Sequence, residues 1–508
     1  IWFMHESAHF SRVARDHLNR NYGQRWIGRE GSNYKKYSSV EADCTKALEL
    51  NSKYTKALLR RARALEQTGD LEAALKDSFI VCIHEDVSNK TSFLKLHEIY
   101  VKLVEQQVQE NLANRKFLLP SKYTIKIFIE YFPKDPVFSR LQHPTNFPQF
   151  FKKPLEALKN AEYDDIIPLC TEIIKSDEFD KLSSSKLEVL LLRATFYILL
   201  GDYVSAIRDF ESILNSEDAT DDVKICALIK RARVYVKLEM LEIAFEDFEL
   251  AISINARYGD IYYQRGQTYL LMEKLDDAKR DFERAVECNS NFGMAYLLTC
   301  YVDFKLAEEN LDLRLTRVVV KKFERAFKRF LNPPESIYCY TLYADVQLCL
   351  NFKKADACLA KAIVKYPEYA VILETRGLLQ LQWHDNIDKA MEYFNKAIEL
   401  DYKCETAYKE LGKLEIRREN FEKAIKLLDK ALIFCCTYKE LLQIYILRNS
   451  AKVQLDVKNE LGSIPPILRS ISDFIKIQNV EKPDWLKRTS SAVQLEVKTN
   501  YFISKQLV

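Results

Sequence analysis

Between Val371 and Ile433 the order of apolar and polar positions is written twice. Gly377 is followed by Ala390, Phe394 and Ala397, and Gly412 by Ala424, Leu428 and Ala431, at offsets of 35, 34, 34 and 34 residues. Around these marks apolar residues recur three and four apart, the spacing of one helix face. Each copy therefore predicts two helices, the first carrying a small residue and the second Ala-x3-apolar-x2-Ala. Small side chains let the two helices approach, and the large apolar residue fills the space beside them. Neither pair can bury its face alone, so the copies must stack.

That period and those marks are the tetratricopeptide (TPR) signature. Small first-helix marks recur at Ala194, Ala232, Gly266, Cys300, Ala344, Gly377 and Gly412, spaced 38, 34, 34, 44, 33 and 35 residues apart. The two long intervals place insertions near Asn215–Asp222 and Glu308–Leu315. Second-helix marks agree, among them Ala206/Phe210, Ala244/Phe248/Ala251 and Ala278/Phe282/Ala285. Upstream, Val40, Cys44 and Ala47 mark a second helix, Tyr54–Gly69 and Leu71–His84 a full pair, and Thr91–Arg115 a further helix. The fold class is all-α, a TPR superhelix (α-solenoid) in two blocks. Residues 1–36 are an atypical N-terminal segment and 37–116 an N-terminal TPR block. A Pro-rich connector follows at 117–155, then a C-terminal TPR block at 156–480 and a tail at 481–508. The last block is expected to stack continuously to about Ile433 and to end in a capping pair, Lys439–Lys458 and Ile467–Val480.

Composition narrows the function. The 508 residues hold only 11 Gly and 13 Pro, too few for turn-rich β architecture, and more chain than one core needs. Basic and acidic residues number 76 and 73, so bulk charge does not point to nucleic acid. The 12 Cys include no C-x-x-C and read as small core residues in a reducing compartment. No apolar run is long enough to span a membrane, and His5 and Glu6 break any signal-like start. The first residue is Ile, compatible with a fragment or a processed form. There is no phosphate loop and no dinucleotide fingerprint. His97-Glu98 has Val101 where a zinc protease needs its second His. No enzyme activity, cofactor or metal is expected.

The informative positions are those of the first helices that face the concave groove. With the small mark at position 8, the groove receives roughly positions 2, 5, 6 and 9. In the 54–84 repeat these are Lys56, Leu59, Arg60 and Arg63. Lys56 and Arg60 project together, and such a pair costs stability unless an anion answers it. They either solvate the helix or bind a carboxylate. Further on the lining is Leu191, Leu192 and Thr195, then Ile229, Lys230 and Arg233. Next come Tyr263, Gln264 and Gln267, then Leu297, Leu298 and Tyr301. This mixture suits an extended or amphipathic peptide better than a polyanion, while some of these side chains pack between repeats.

Four stretches, Asp43–Ala64, Leu190–Gly201, Ala227–Tyr235 and Gly377–Trp383, resemble the family of 70-kilodalton receptors of the mitochondrial outer-membrane translocase. The resemblance runs from about Tyr37 to about Val480. It implies a receptor on the cytosolic face of the mitochondrial outer membrane, held there by an N-terminal anchor. It also implies three sets of partners. Precursors of carrier-type membrane proteins would bind the C-terminal repeats. Heat-shock chaperones of the 70- and 90-kilodalton classes would dock their acidic C-termini in the N-terminal repeats, and other translocase subunits would bind as well. Lys56 and Arg60 match the basic K-x-x-x-R of the chaperone clamp, whose other polar anchors have no counterpart in register, Asn19 and Asn21 lying too far upstream. The rival reading is a soluble TPR scaffold or co-chaperone with no mitochondrial role. A repeat-coded RNA binder would need a basic groove, which Asp260, Glu374 and Glu410 disfavour.

Overall fold

The computed structural model describes residues 30–462 apart from 86–88, 115–117, 142–147, 178, 180–181, 183–185, 239, 311, 330–335, 349–350 and 436–437. Most of the atypical N-terminal segment, Asn19 and Asn21, the expected helix Ile467–Val480 and the tail lie outside the described residues. Among the described residues every long element is an α-helix. In chain order these begin with α1 (Glu30–Leu50), α2 (Thr55–Thr68), α3 (Leu71–His84), α4 (Lys90–Asn114), α5 (Lys122–Glu130), α6 (Pro136–Arg140), α7 (Lys152–Asn160) and α8 (Ile166–Ile174). There follow α9 (Lys186–Leu200), α10 (Tyr203–Leu214), α11 (Asp221–Lys237), α12 (Leu241–Ile254), α13 (Gly259–Leu271), α14 (Leu275–Cys288), α15 (Gly293–Glu309) and α16 (Leu313–Arg329). The last are α17 (Ser336–Leu348), α18 (Phe352–Lys365), α19 (Ala370–His384), α20 (Ile387–Leu400), α21 (Glu405–Arg417), α22 (Phe421–Phe434) and α23 (Tyr438–Leu461).

The described residues form two compact units, one within 30–114 and 405–462 and the other within 118–404. This differs from the uninterrupted 156–480 block that periodicity suggests. The reason lies in α23, which packs on α3 and α4 although more than 330 residues separate them. Tyr100 donates its hydroxyl to the Ile446 carbonyl, Asn111 Nδ2 donates to Tyr445 Oη at 3.2 Å, and Asn449 Nδ2 to Gln107 Oε1 at 2.7 Å. Lys452 pairs with Glu72, and Lys76 Nζ with Glu460 Oε2 at 2.9 Å. A 34-residue period carries no information about contacts at that separation.

Inside each repeat the small mark meets the large one. A Cβ placed on Gly266 would lie 2.9 Å from Phe282 Cε1, one on Gly377 2.8 Å from Phe394 Cε1, and one on Gly412 2.7 Å from Leu428 Cγ. Phe210, Phe248, Phe282, Phe394 and Leu428 are wholly buried, as are Ala194 and Ala232. Beside this contact runs a second device. In four repeats the residue before the small mark is Arg, and sixteen positions later stands Asp. Arg193 clasps Asp209 through Nε (2.8 Å) and Nη2 (2.7 Å), and Arg265 clasps Asp281 at 2.8 Å through both. Arg231–Asp247 and Arg61–Asp77 repeat the same fork. In the Gly377 repeat, where Glu392 and Tyr393 precede the large mark Phe394, Arg376 lies over the Tyr393 ring and turns back to Asp356 of α18, at 2.8 Å. The insertion near residue 310 lengthens the helices on both sides, since α15 and α16 have 17 residues each. The second unit encloses a single apolar core running from Leu119 to Leu379. Of the ten described cysteines all but Cys288 are buried, and burial lifts the Cys82 and Cys358 thiols to about 12.

Two outcomes follow. Gly412→Leu drives a branched side chain into Leu428 and should cost roughly 1–3 kcal/mol, read as a lower thermal midpoint. Arg231→Met strands the buried Asp247 carboxylate and should cost about 3 kcal/mol, whereas Arg231→Met with Asp247→Leu should recover most of it. Burial already pushes the Asp247 carboxyl up, against the hold of Arg231. A carboxyl with a raised folded pKa loses its penalty as pH falls through that value. Denaturant melts should therefore show the single variant's deficit shrinking toward acidic pH.

Candidate functional site

The twelve first-helix positions expected to line a groove share the faces of α9, α11, α13 and α15. Eleven are buried and Arg233 is half-buried. What covers several of them is the proline-rich connector, which folds as α5 and α6 and lies across successive first helices of its own unit. Its course can be followed from contact to contact. Leu119 accepts from Lys403 Nζ through its carbonyl at 2.9 Å, and the Tyr123 ring lies 5.7 Å from that of Tyr369. The Tyr131 carbonyl accepts from Gln264 Nε2 at 2.9 Å, and the Lys134 amide donates to Asp260 Oδ2 at 3.2 Å. Tyr258 donates its hydroxyl to the Lys134 carbonyl at 2.9 Å, and burial pushes that phenol up, so it stays a donor. Arg140 ends the run in a fork on Glu188 of α9. The segment thus runs antiparallel to the order of the repeats.

At its centre stands a fully buried ion pair. Lys230 of α11 meets Asp135, with both side chains out of contact with solvent. Lys230 Nζ also donates to Thr195 Oγ1 at 2.8 Å and sits 4.9 Å from the Phe132 ring centre and 4.7 Å from that of Phe138. Asp135 is at once the N-cap of α6, accepting from the amides of Val137 (2.8 Å) and Phe138 (3.2 Å). Pro136 at the first helical position fits a cap of this kind. A buried charge persists only when it is paired and hydrogen-bonded, and the connector supplies both. Arg233 Nη1 donates to Gln264 Oε1 at 2.7 Å, joining the next repeat to the same network.

The remaining positions serve the stack itself. Tyr263 packs against Phe292 with ring centres 4.7 Å apart, and the Tyr301 hydroxyl donates to Asp345 Oδ2 at 3.0 Å. Leu191, Leu192, Ile229, Leu297 and Leu298 belong to the apolar core. The expectation of an open lining is thus corrected: these side chains face either the connector or the neighbouring helices. Asp135, Phe132 and Phe138 were not singled out in the sequence, although Asp135-Pro136 is itself a helix-start signal.

In the other unit α2 presents a different surface. Lys56, Arg60 and Arg63 are exposed, and none makes an ion pair with a described residue. Glu66, further along α2, is taken by Lys95 of α4 at 2.8 Å. Among the described residues no group of three or more His, Cys, Asp or Glu is placed to hold a metal, and no helix is long and apolar enough to cross a membrane.

Paired helices with a small-to-large contact, repeating every 34 or so residues, define a tetratricopeptide-repeat protein. Tetratricopeptide-repeat family profiles match residues 259–292 and 385–404. The mitochondrial import receptor subunit TOM70 of Homo sapiens is 32% identical over 449 residues, 85% of this chain and 72% of its own length. Its Rattus norvegicus counterpart matches to the same extent. The crystal structure of yeast Tom70 has the same fold, with a TM-score of 0.54 at 19% identity, covering 93% of this chain and 97% of that one. The chain belongs to the TOM70 family of mitochondrial import receptor subunits.

Asp135→Ala removes the carboxylate that pairs with the buried Lys230 and uncaps α6 at the same time. Breaking one side of a buried pair costs about 3–5 kcal/mol. We expect a matching loss of stability and faster amide exchange in residues 119–141, with α12 and α14 unchanged. Lys230→Met leaves the Asp135 carboxylate its two cap amides and keeps α6 capped, so it should be milder than Asp135→Ala.

Proposed function

We propose that this chain is a mitochondrial protein-import receptor at the outer membrane, exposed to the cytosol, that binds precursor proteins and does no catalysis. The observation that carries this is family membership along nearly the whole chain, for the human and rat relatives are named as import receptor subunits. A scaffold without a mitochondrial role has no comparable support. Carrier-type precursors, as the resemblance implies, are taken as the substrates, and other translocase subunits as neighbours.

Two surfaces are assigned. Precursor segments bind on the first-helix face of α9, α11, α13 and α15, against which residues 119–141 now pack. To reach Leu191, Leu192, Thr195, Ile229, Lys230, Arg233, Tyr263, Gln264, Gln267, Leu297, Leu298 or Tyr301, a precursor must shift or share the place of that segment. Chaperone C-termini bind at Lys56 and Arg60 of α2, which are exposed and without an acidic partner among the described residues. Two exposed cations hold a carboxylate weakly and mostly through long-range attraction.

Photo-crosslinking a carrier-type precursor peptide should label the connector and α13; label confined to residues 30–114 would overturn the first assignment. Titration of a peptide ending in Glu-Glu-Val-Asp should give a Kd near the millimolar range, roughly 4 kcal/mol weaker than a micromolar clamp. Binding should weaken further with salt and in Arg60→Ala. Equal binding by Arg60→Ala removes the second assignment.

A further inference from the structure

The second helices of the repeats differ in charge in a way that packing does not require. In α12 there are four acidic residues and no basic ones. In α14 acidic residues again outnumber basic ones. Two repeats on, α16 reverses this with seven basic residues against the single Glu324, and α18 follows with four Lys against Asp356. These two helices adjoin, for Lys354 Nζ of α18 reaches Glu324 Oε1 of α16 at 3.0 Å. Glu324 also accepts from Gln347 Nε2 at 3.2 Å, and Asp356 is held by Arg376, so both acids are already engaged.

The cations point outward. Arg314, Arg317, Lys321, Arg325 and Lys328 of α16 are exposed and make no ion pair with a described residue, and the same holds for Lys353 and Lys361 of α18. Lys322 alone of the exposed α16 lysines is answered, by Asp303 at 2.8 Å. Asp312, the nearest exposed acid, is engaged in capping the amides of Arg314 and Leu315 at 2.9 Å. Among the cations stand large apolar side chains with no cover. Leu315 is 43%, Val318 63% and Val364 83% exposed. The buried side of α16 is fully used by Val319, Val320, Phe323, Ala326 and Phe327, so these apolar tips are surplus to the core. The added first turn of α16 carries Leu315, since α16 has 17 residues where α12, α14, α18, α20 and α22 have 14.

We propose that the outward flank of α16, continued by α18, docks on an anionic phospholipid surface. Cations spread along a helix with protruding apolar tips are what an interfacial helix presents, the charges meeting headgroups and the tips entering the acyl boundary. An acidic peptide is the lesser fit. A helix flank has its backbone groups satisfied internally and offers no groove, so nothing would fix a peptide's course. Such docking rests on the reading of the chain as a receptor at the outer membrane, and it would hold the second unit against that surface without spanning it.

The test is flotation of the purified chain with vesicles of phosphatidylcholine containing 30% phosphatidylserine, against pure phosphatidylcholine. The chain should float with the anionic vesicles only, and release as salt rises from 0.1 to 0.5 M, as expected of surface charge. Arg317→Glu, Lys321→Glu and Arg325→Glu together reverse one exposed stripe and should weaken partition by about 100-fold or more, at the usual contribution of each basic residue near such a surface. Leu315→Ser with Val318→Ser keeps the charge and should weaken it several-fold. All five positions are exposed, so thermal melts should match the unmodified chain. No flotation at 0.1 M salt overturns the proposal, as does equal flotation of the charge-reversed chain. So does saturable binding of a polyglutamate peptide without any to vesicles, which assigns the flank to an acidic protein instead. Precursor-peptide binding is read separately: its absence in the unmodified chain would count against the receptor reading and not against lipid docking.

Discussion

Everything in this molecule depends on two helices being able to come close enough for a large side chain on one to lie over a small residue on the other. Gly266 under Phe282, Gly377 under Phe394 and Gly412 under Leu428 leave no space for even a methyl group. That contact sets the distance between the helices, and the distance sets the register of all that lies around it. The Arg–Asp fork beside it works at the same spacing and closes only when the small residue is small. Burial would make each Asp costly, and the guanidinium fork offsets that cost while admitting one orientation of the two helices. In the four repeats that carry the fork, dispersion and the ion pair thus enforce one geometry.

A stack built this way has two long faces, and this chain treats them differently. The first-helix face of the second unit is covered by its own connector, held through Lys230, Gln264, Tyr258 and Glu188. A lysine with no solvent contact would not be tolerated there without Asp135, so the connector is part of the folded unit and not a loose tether. The second-helix face is left to solvent and carries the charge contrast between α12 and α16. The two faces of the stack are thus built from different helices, the first and the second of each pair. The stack fixes both sides without either disturbing its core.

The repeats were legible from the sequence because their cause is local. A small mark, a large mark and a fixed period are properties of neighbouring positions, and Leu71–His84 in the sequence is α3 in the structure. Lys56 and Arg60 could be placed on an exposed face for the same reason, since i and i+4 on a helix share a side whatever else the chain does. Membership in the receptor family was equally a matter of sequence, carried by runs such as Leu190–Gly201.

What tertiary structure alone decided are the contacts between distant segments. No period could say that α23 returns to α3 and α4, because the bonds from Tyr100, Gln107 and Asn111 join residues more than 330 positions apart. Nor could it say that a proline-rich stretch would lie along the repeats it precedes. Burial of Leu191 or Tyr263 depends on what packs against them, and helical phase gives only the side to which a residue points. The sequence determined each helix pair and its charged flanks through spacing of a few residues. Only the folded chain decided which of those flanks would be covered, because covering needs a partner whose position the local pattern does not encode.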